Sequence, residues 1–164
     1  MLERLLITHC SPTLAGIKTG NLFCCRFTSI EELALQLQDA NRKLNSKGIY
    51  LEVLRIQNLS TLILAYRPKY LVRDLGKSGV EIFLKQLGYA KLDPGCAISM
   101  LKECFSAQSD FPHEIGLFLG YPLNDVIGFI ENEGQNSKNA GCWKVYRNER
   151  EKDCALWLLR LGRW

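Results

Sequence analysis

The chain has 164 residues, of which 47% are apolar and 23% are charged, and its formal net charge is +4. These proportions are those of an ordinary globular protein, so they exclude a disordered or fibrous chain. A length near 160 residues is sufficient for a core without metal or disulfide support, and we expect one globular domain over residues 1–164.

Hydropathy, net charge and the number of cysteines allow predictions about the cellular location and about the classes of partner. No apolar run approaches the roughly 20 residues that a membrane helix needs, and the first residues lack a signal-peptide pattern. We therefore expect a cytoplasmic protein with no membrane partner. The positive excess is small and spread along the chain, so a nucleic-acid partner is not expected. Seven cysteines without any Cys-x-x-Cys pair indicate reduced thiols.

The first residues predict a helix that breaks early. Leucines at helical spacing favour a short helix over residues 2–9 that stops before Pro12. Ser11 and Pro12 have the pattern of a cap and a first helical residue, which predicts a further helical turn through Leu14.

A strand and an amphipathic helix come next. Residues 20–27 are typical of a strand, on which the adjacent Cys24 and Cys25 point to opposite faces. A Ser-x-x-Glu capping box that begins at Ser29 opens a helix, which Gly48 closes.

Branched and aromatic residues give the clearest strand signals. Residues 49–56 and 61–66 predict two strands joined by a short turn over residues 57–60, and the second strand is apolar enough to be central. This pattern is typical of an antiparallel hairpin. Pro68 then starts a short helix that ends at Gly76.

Helical patterns dominate the remaining half. Ser78 begins a second capping box, whose helix ends at Gly88, and Asp93 caps another helix. Residues 111–134 predict two short helices that are broken at residues 120–122.

The end of the chain predicts a loop, a strand and a helix. A polar loop spans residues 133–141, a last strand spans residues 143–147, and a terminal helix begins near Asn148 and carries Cys154 on its apolar stripe. The whole chain is therefore predicted to be an α+β domain, with a small, mostly antiparallel sheet of three or four strands covered by several helices.

Residues 8–18 contain more reactive side chains than a core requires. They bring an imidazole, a thiol, hydroxyls and an amine to the predicted helix break: His9, Cys10, Ser11, Thr13 and Lys18. The free amides of a helix start, together with these groups, could hold a phosphate or a carboxylate. Capping and packing are the commoner roles for such residues.

A second segment, residues 112–122, begins with Pro112, His113 and Glu114 and includes Tyr121. A neutral imidazole at a helix start can act as a metal ligand or as a general base. The alternative is that Glu114 stabilises the helix start and that His113 is a surface imidazole.

Two kinds of chemistry follow if the fold joins these segments. His9, Cys10, His113 and Glu114 would supply metal ligands. Cys10 and His113 would equally supply a nucleophile and its base, with Glu114 orienting the imidazole. A small-ligand site would use the following residues: His9, Ser11, Thr13, Lys18, His113 and Tyr121.

Four stretches of the chain carry a resemblance to a known family. They are His-Cys-Ser-Pro-Thr-Leu-Ala-Gly-Ile-Lys at 9–18, Ala-Tyr-Arg-Pro at 65–68, the run Phe-Pro-His-Glu-Ile-Gly-Leu-Phe-Leu-Gly-Tyr-Pro-Leu-Asn-Asp-Val-Ile-Gly-Phe-Ile at 111–130, and Gly-Cys-Trp-Lys-Val-Tyr at 141–146. The chain resembles an uncharacterised family, a domain of unknown function found in small cytoplasmic proteins of anaerobic Gram-positive bacteria. The resemblance implies no catalytic residues.

Three hypotheses about function follow. The first is a protein that binds a small anionic ligand or a metal cofactor at the two His-containing segments. The second is an enzyme for acyl or thiol transfer that uses Cys10 with His113 or His9; it predicts a lowered pKa for Cys10. The third is a non-catalytic interaction module that binds another protein or a second copy of itself.

Overall fold

The computed structural model describes residues 2–107, 112–132, 139–140 and 144–145. The helices of this part of the chain are α1 (Leu2–Leu14), α2 (Ile30–Asn45), α3 (Pro68–Leu75), α4 (Ser78–Gln86), α5 (Pro94–Ala107), α6 (Ile115–Phe118) and α7 (Leu123–Glu131). Its strands are β1 (Gly20–Arg26), β2 (Tyr50–Gln57), β3 (Ser60–Tyr66), β4 (Asn139–Ala140) and β5 (Lys144–Val145).

The main sheet has three antiparallel strands in the order β1-β3-β2. The predicted hairpin of β2 and β3 is confirmed, and β3 is the central strand as its apolar sequence indicates. The two residues of its turn, Asn58 and Leu59, have φ values of 50° and 58°. Left-handed conformations at both positions give the turn a twist that matches the strands.

Side chains of β3 point alternately into two apolar cores on opposite faces of the sheet. Leu62 and Leu64 pack with α3–α7 in one core. Ile63 and Ala65 pack with α1 and α2 in the other core. The fold is therefore α+β, as the sequence predicts, and helices cover both faces of the sheet.

The predicted break before Pro12 is wrong, because α1 continues to Leu14 with Pro12 inside it. The Ser11 hydroxyl donates to the carbonyl oxygen of Ile7, so Ser11 belongs to the helix and does not cap a new one. Pro12 lies in the last turn of α1, where it has no N–H to donate to the carbonyl oxygen four residues earlier, and its side chain is buried.

The cap of α2 is confirmed, although only half of the predicted capping box forms. The backbone amide of Glu32 donates to the Ser29 hydroxyl oxygen at 3.1 Å. The Glu32 carboxylate instead accepts hydrogen bonds from the Thr28 hydroxyl and from the Gln36 amide.

Of the two helix caps predicted later in the chain, one is confirmed and the other is wrong. Asp93 caps α5 as predicted, because its carboxylate accepts from the backbone amide of Cys96 at 3.0 Å. The capping box at Ser78 is wrong, since Ser78 is already the first residue of α4 and Lys77 holds the N-cap position.

The two predicted short helices around residues 120–122 are confirmed as α6 and α7. The predicted loop over residues 133–141 and strand over residues 143–147 fall within the described residues only at β4 and β5, which pair with each other. The predicted terminal helix from Asn148, with Cys154, lies outside the described residues. In the described part of the chain, no helix is long and apolar enough to cross a membrane.

Candidate functional site

The two segments singled out in the sequence meet at one edge of the sheet. Lys18 donates from Nζ to the Tyr121 hydroxyl at 3.1 Å, and the same ammonium lies 4.6 Å from the centre of the Tyr121 ring. A Cβ atom at Gly120 would lie 2.9 Å from the Thr19 hydroxyl oxygen, so the Gly120 backbone packs directly against the Thr19 side chain. Of the predicted ligand-binding residues, the fold thus joins Lys18 and Tyr121.

A buried carboxylate lies beside this contact. The side chain of Asp74, at the end of α3, is 8% exposed. It accepts a hydrogen bond from the Thr19 hydroxyl, and its Oδ1 atom lies 3.0 Å from both Arg73 Nε and Lys77 Nζ. Burial raises the pKa of Asp74, but its three hydrogen-bond donors outweigh burial and hold the pKa below its usual value.

A cavity of about 260 Å³ opens next to Asp74, between the starts of α4 and α7. Its lining comprises Asp74, Lys77, Ser78, Gly79, Val80, Leu117, Tyr121, Pro122 and Leu123. A Cβ atom at Gly79 would lie 3.1 Å from a Leu123 methyl carbon, so the two helix starts are in close contact.

Positive charge prevails around the cavity. Neither α4 nor α7 has a side-chain cap, and the first amides of a helix have no partner within it. Lys18, Arg73 and Lys77 form hydrogen bonds or ion pairs with residues of the lining, and Asp74 is the single carboxylate among its described residues. Asp125, buried in the first turn of α7, offsets part of this charge.

Ser11 and Thr13 do not form the expected anion site. The hydroxyl of Ser11 is bonded to its own helix, and Thr13 is fully buried and donates to the Asn21 side-chain oxygen at 2.7 Å. The expectation depended on a helix start at Pro12. Because α1 continues through Pro12, the free amides of a helix start are absent there.

Cys10 has the environment of a core residue. Its side chain is 0% exposed and belongs to the core between the sheet and α1–α2. Burial raises the pKa of Cys10 to about 12, although the charge of Lys18 acts in the opposite direction. The lowered pKa expected of a nucleophile is therefore wrong.

The predicted partners of Cys10 lie elsewhere. Glu114 accepts a hydrogen bond at 3.1 Å from the hydroxyl of Tyr89, whose ring packs in the core on the α3–α7 face. His113 is exposed, and its ring centre lies 5.0 Å from that of Phe129 on α7. The sheet lies between the core of Cys10 and the core of Tyr89, so Cys10, His113 and Glu114 do not form the predicted group.

Cys104 of α5, and not Cys10, is the cysteine whose thiol lies near Glu114. Burial is the main cause that raises the pKa of Cys104; the nearby Glu114 carboxylate raises it further, and Tyr89 acts in the opposite direction. The sequence around Cys104 gives no sign of these polar neighbours.

The metal hypothesis lacks a cluster of ligands. Among the residues that the structure describes, no group of three or more His, Cys, Asp or Glu side chains could hold a metal ion. His9 is half-buried on α1, and the other candidates are placed as described above. The four predicted ligands therefore have no common centre in this part of the chain.

Sequence reasoning missed Thr19, Asp74 and Lys77. The only local signal is the spacing of Asp74 and Lys77, which lie three residues apart across the end of one predicted helix and the start of the next. Thr19 is 55 positions from Asp74, so their contact depends on how α3 packs against the loop before β1.

Comparison with known proteins identifies relatives but no activity. A family model described as "Protein of unknown function (DUF3793)" matches residues 6–160. Comparisons with curated proteins and with solved structures gave no match.

Proposed function

The chain belongs to this family of proteins of unknown function, and we propose that it binds a small anionic ligand in the cavity between the starts of α4 and α7. One observation carries the proposal: among the described residues, the lining of this cavity holds a single carboxylate, Asp74, and that carboxylate is already paired with two cations, Arg73 and Lys77. Lys18 adds a third positive charge that offsets the nearby buried Asp125, so an anion entering the cavity meets a net positive environment.

The flexible cations can reach a ligand. The side chains of Arg73 and Lys77 are 62% and 63% exposed, although both form ion pairs with Asp74. Each has further donor atoms that an anion can accept from. The Tyr121 hydroxyl, held by Lys18, offers another polar contact in the lining.

The size and the apolar wall of the cavity favour a small molecule. Ligand pockets commonly have volumes of roughly 300–1,000 Å³, and a volume of about 260 Å³ is close to the lower end of this range. Val80, Leu117 and Leu123 can contact the carbon atoms of a ligand. A small molecule that bears a phosphate or a carboxylate fits these walls.

Thermal unfolding with inorganic phosphate tests the proposal. A ligand present at about one hundred times its Kd stabilises the folded state by roughly 2.7 kcal/mol, which raises the Tm of a chain of this size by roughly 5–10 °C. We expect phosphate to raise the Tm of the wild type relative to chloride at equal ionic strength. Lys77→Ala should remove most of this shift.

Lys85→Ala is the matched control, because it removes the same charge from the other end of α4, where Lys85 pairs with Glu81. Its phosphate shift should equal that of the wild type. A wild type that neither phosphate nor a small dicarboxylate stabilises would contradict the proposal. Equal shifts in the wild type and in Lys77→Ala would do the same.

We also propose a cytoplasmic location. Among the described residues, the cysteines are free thiols, which is typical of a reducing compartment. Self-association stays a prediction of the sequence.

A further inference from the structure

Among the described residues, the hairpin end of the sheet has an open face. It is separate from the cavity between the starts of α4 and α7, which we call the anion cavity. We define the hairpin-end face by six residues that share one side of the sheet: Cys24, Arg26, Arg55, Gln57, Ser60 and Leu62. They line a cavity of about 730 Å³. The neighbouring part of the same side is covered by α5, where Lys102 pairs with Glu52 at 2.7 Å.

The charge that the described residues give this face is entirely positive. Among them, Arg26 and Arg55 line its cavity and no carboxylate does. Neither arginine forms an ion pair with any residue in the described ranges; Arg55 lies 5.9 Å from the Phe105 ring, at the edge of α5. Two guanidinium groups that no described residue neutralises are suited to a partner with negative charge.

The spacing of the arginines favours two anionic groups over one. Arg26 pairs with Ser60 and Arg55 pairs with Leu62, on opposite sides of the central strand. Strand spacing and rise then place the two Cα atoms roughly 12 Å apart. Acidic residues four positions apart on an extended peptide are separated by a similar distance, roughly 13 Å.

The turn adds an exposed apolar side chain. Leu59 lines the same cavity and is 59% exposed, with a φ of 58°. A bulky residue adopts this conformation rarely, and such turns prefer glycine. The fold thus presents a leucine to solvent beside the arginines although the backbone there disfavours it. Strain of this kind at an exposed position is typical of a binding function.

We propose that the hairpin-end face binds an acidic peptide segment of another protein. Two carboxylates of the peptide pair with Arg26 and Arg55, and an apolar side chain between them packs on Leu59. A small ligand fits less well, because both arginines and Leu59 are exposed, whereas pockets for small molecules bury most of the ligand surface. This proposal is independent of the anion cavity.

Selection from a display library of random short peptides tests this face. We expect the full chain to enrich peptides with two acidic residues about three to five positions apart and an apolar residue between them. The most enriched peptide, labelled with a fluorophore, then gives a Kd by fluorescence anisotropy. The double variant Arg26→Ala, Arg55→Ala should weaken this Kd by about tenfold or more.

Arg42→Ala is the matched control, because Arg42 is an exposed arginine on α2, and its removal should leave the Kd unchanged. Leu59→Gly separates binding from folding. Glycine adopts a positive φ without strain, so this variant should unfold at a higher temperature. It also lacks the Leu59 side chain, so it should bind the peptide more weakly.

Three results would overturn the proposal: no enrichment of acidic peptides, equal binding by the double variant, or tighter binding of a single-stranded oligonucleotide than of the selected peptide. None of these results bears on phosphate binding between α4 and α7, so the two proposals can fail separately.

Discussion

At the scale of single residues, Asp74 controls the geometry of the anion cavity. It holds Thr19, Arg73 and Lys77 together although its own side chain is almost buried. A buried carboxylate bonded in this way is stabilising only while it is ionised. The pH at which Asp74 takes up a proton therefore sets a limit on the stability of the site.

Because the pKa of Asp74 is lower in the folded protein than in the unfolded chain, its contribution is complete at pH values above the unfolded pKa of about 3.9. That contribution is lost as the pH falls through the lower, folded pKa. We expect Asp74→Asn to reduce the free energy of unfolding by roughly 2 kcal/mol at neutral pH. The variant should also depend less on pH in the acid range. Urea unfolding at neutral and acid pH measures both effects.

Asp39→Asn serves as the comparison, since Asp39 is exposed and pairs with Arg42 and Lys43 on the surface of α2. Exposed ion pairs contribute little to stability, so this variant should lose much less. A stability of Asp74→Asn equal to that of the wild type at neutral pH would show that the buried network is not stabilising.

The thiols provide a second prediction for single residues. Cys10 is fully buried with a raised pKa of about 12, whereas Cys24 is exposed on the hairpin-end face. Alkylation requires a reachable thiolate. We expect iodoacetamide at mildly alkaline pH to label Cys24 well before Cys10 in the folded protein, as measured by mass spectrometry of peptides.

Labelling in urea is the control for this experiment, because unfolding exposes both thiols and should bring their rates together. Rapid labelling of Cys10 in the folded protein would instead restore the hypothesis of a nucleophilic cysteine.

At the scale of helices and strands, Arg67 connects elements that are distant in sequence. It precedes α3 and donates to three backbone carbonyl oxygens: Thr13 and Leu14 at the end of α1, each at 2.8 Å, and Lys47 after α2, at 3.1 Å. The last carbonyls of a helix have no partner within it. Arg67 therefore acts as a side-chain cap for α1.

Lysine cannot reproduce this arrangement, because its single ammonium group cannot span three acceptors as the guanidinium fork does. We expect Arg67→Lys to reduce the free energy of unfolding by roughly 1–3 kcal/mol, measured by urea unfolding. Arg42→Lys keeps a positive charge at an exposed position of α2 and should change stability little. Equal stability of the two variants would refute the capping role of Arg67.

The elements that the sequence predicts well are those with local signals. The hairpin of β2 and β3 and the cap at Ser29 follow from side chains within a few positions of each other. The predicted cap at Ser78 failed because Lys77 bonds to Asp74 across the end of α3 and the chain enters α4 one residue earlier. The break before Pro12 failed because Ser11 bonds within α1.

The residues of the candidate site also differ in whether the sequence indicates them. Lys18 and Tyr121 could be singled out from segments rich in polar groups, whereas Asp74 and Thr19 belong to the site only because α3 packs against the loop before β1. The predicted group that includes Cys10 and Glu114 requires the two segments to come together at these reactive side chains. They meet instead at Lys18 and Tyr121, at the edge of the sheet.

At the scale of the whole molecule, the sheet divides the protein into two apolar cores, one packed with α1 and α2 and one with α3–α7. Both proposed binding surfaces depend on the α3–α7 side, but at different places. The anion cavity lies where the helices begin, and the hairpin-end face lies where α5 no longer covers the sheet.

The loop between α1 and β1 connects the anion cavity to α1. Its residues Lys18 and Thr19 are bonded to the wall of the anion cavity, and Arg67 binds the end of α1 just before the loop. An anion that draws Lys18 toward itself therefore pulls on a segment continuous with α1. If the cavity binds an anion as proposed, we expect this binding to pull on a helix that lies on the other side of the sheet.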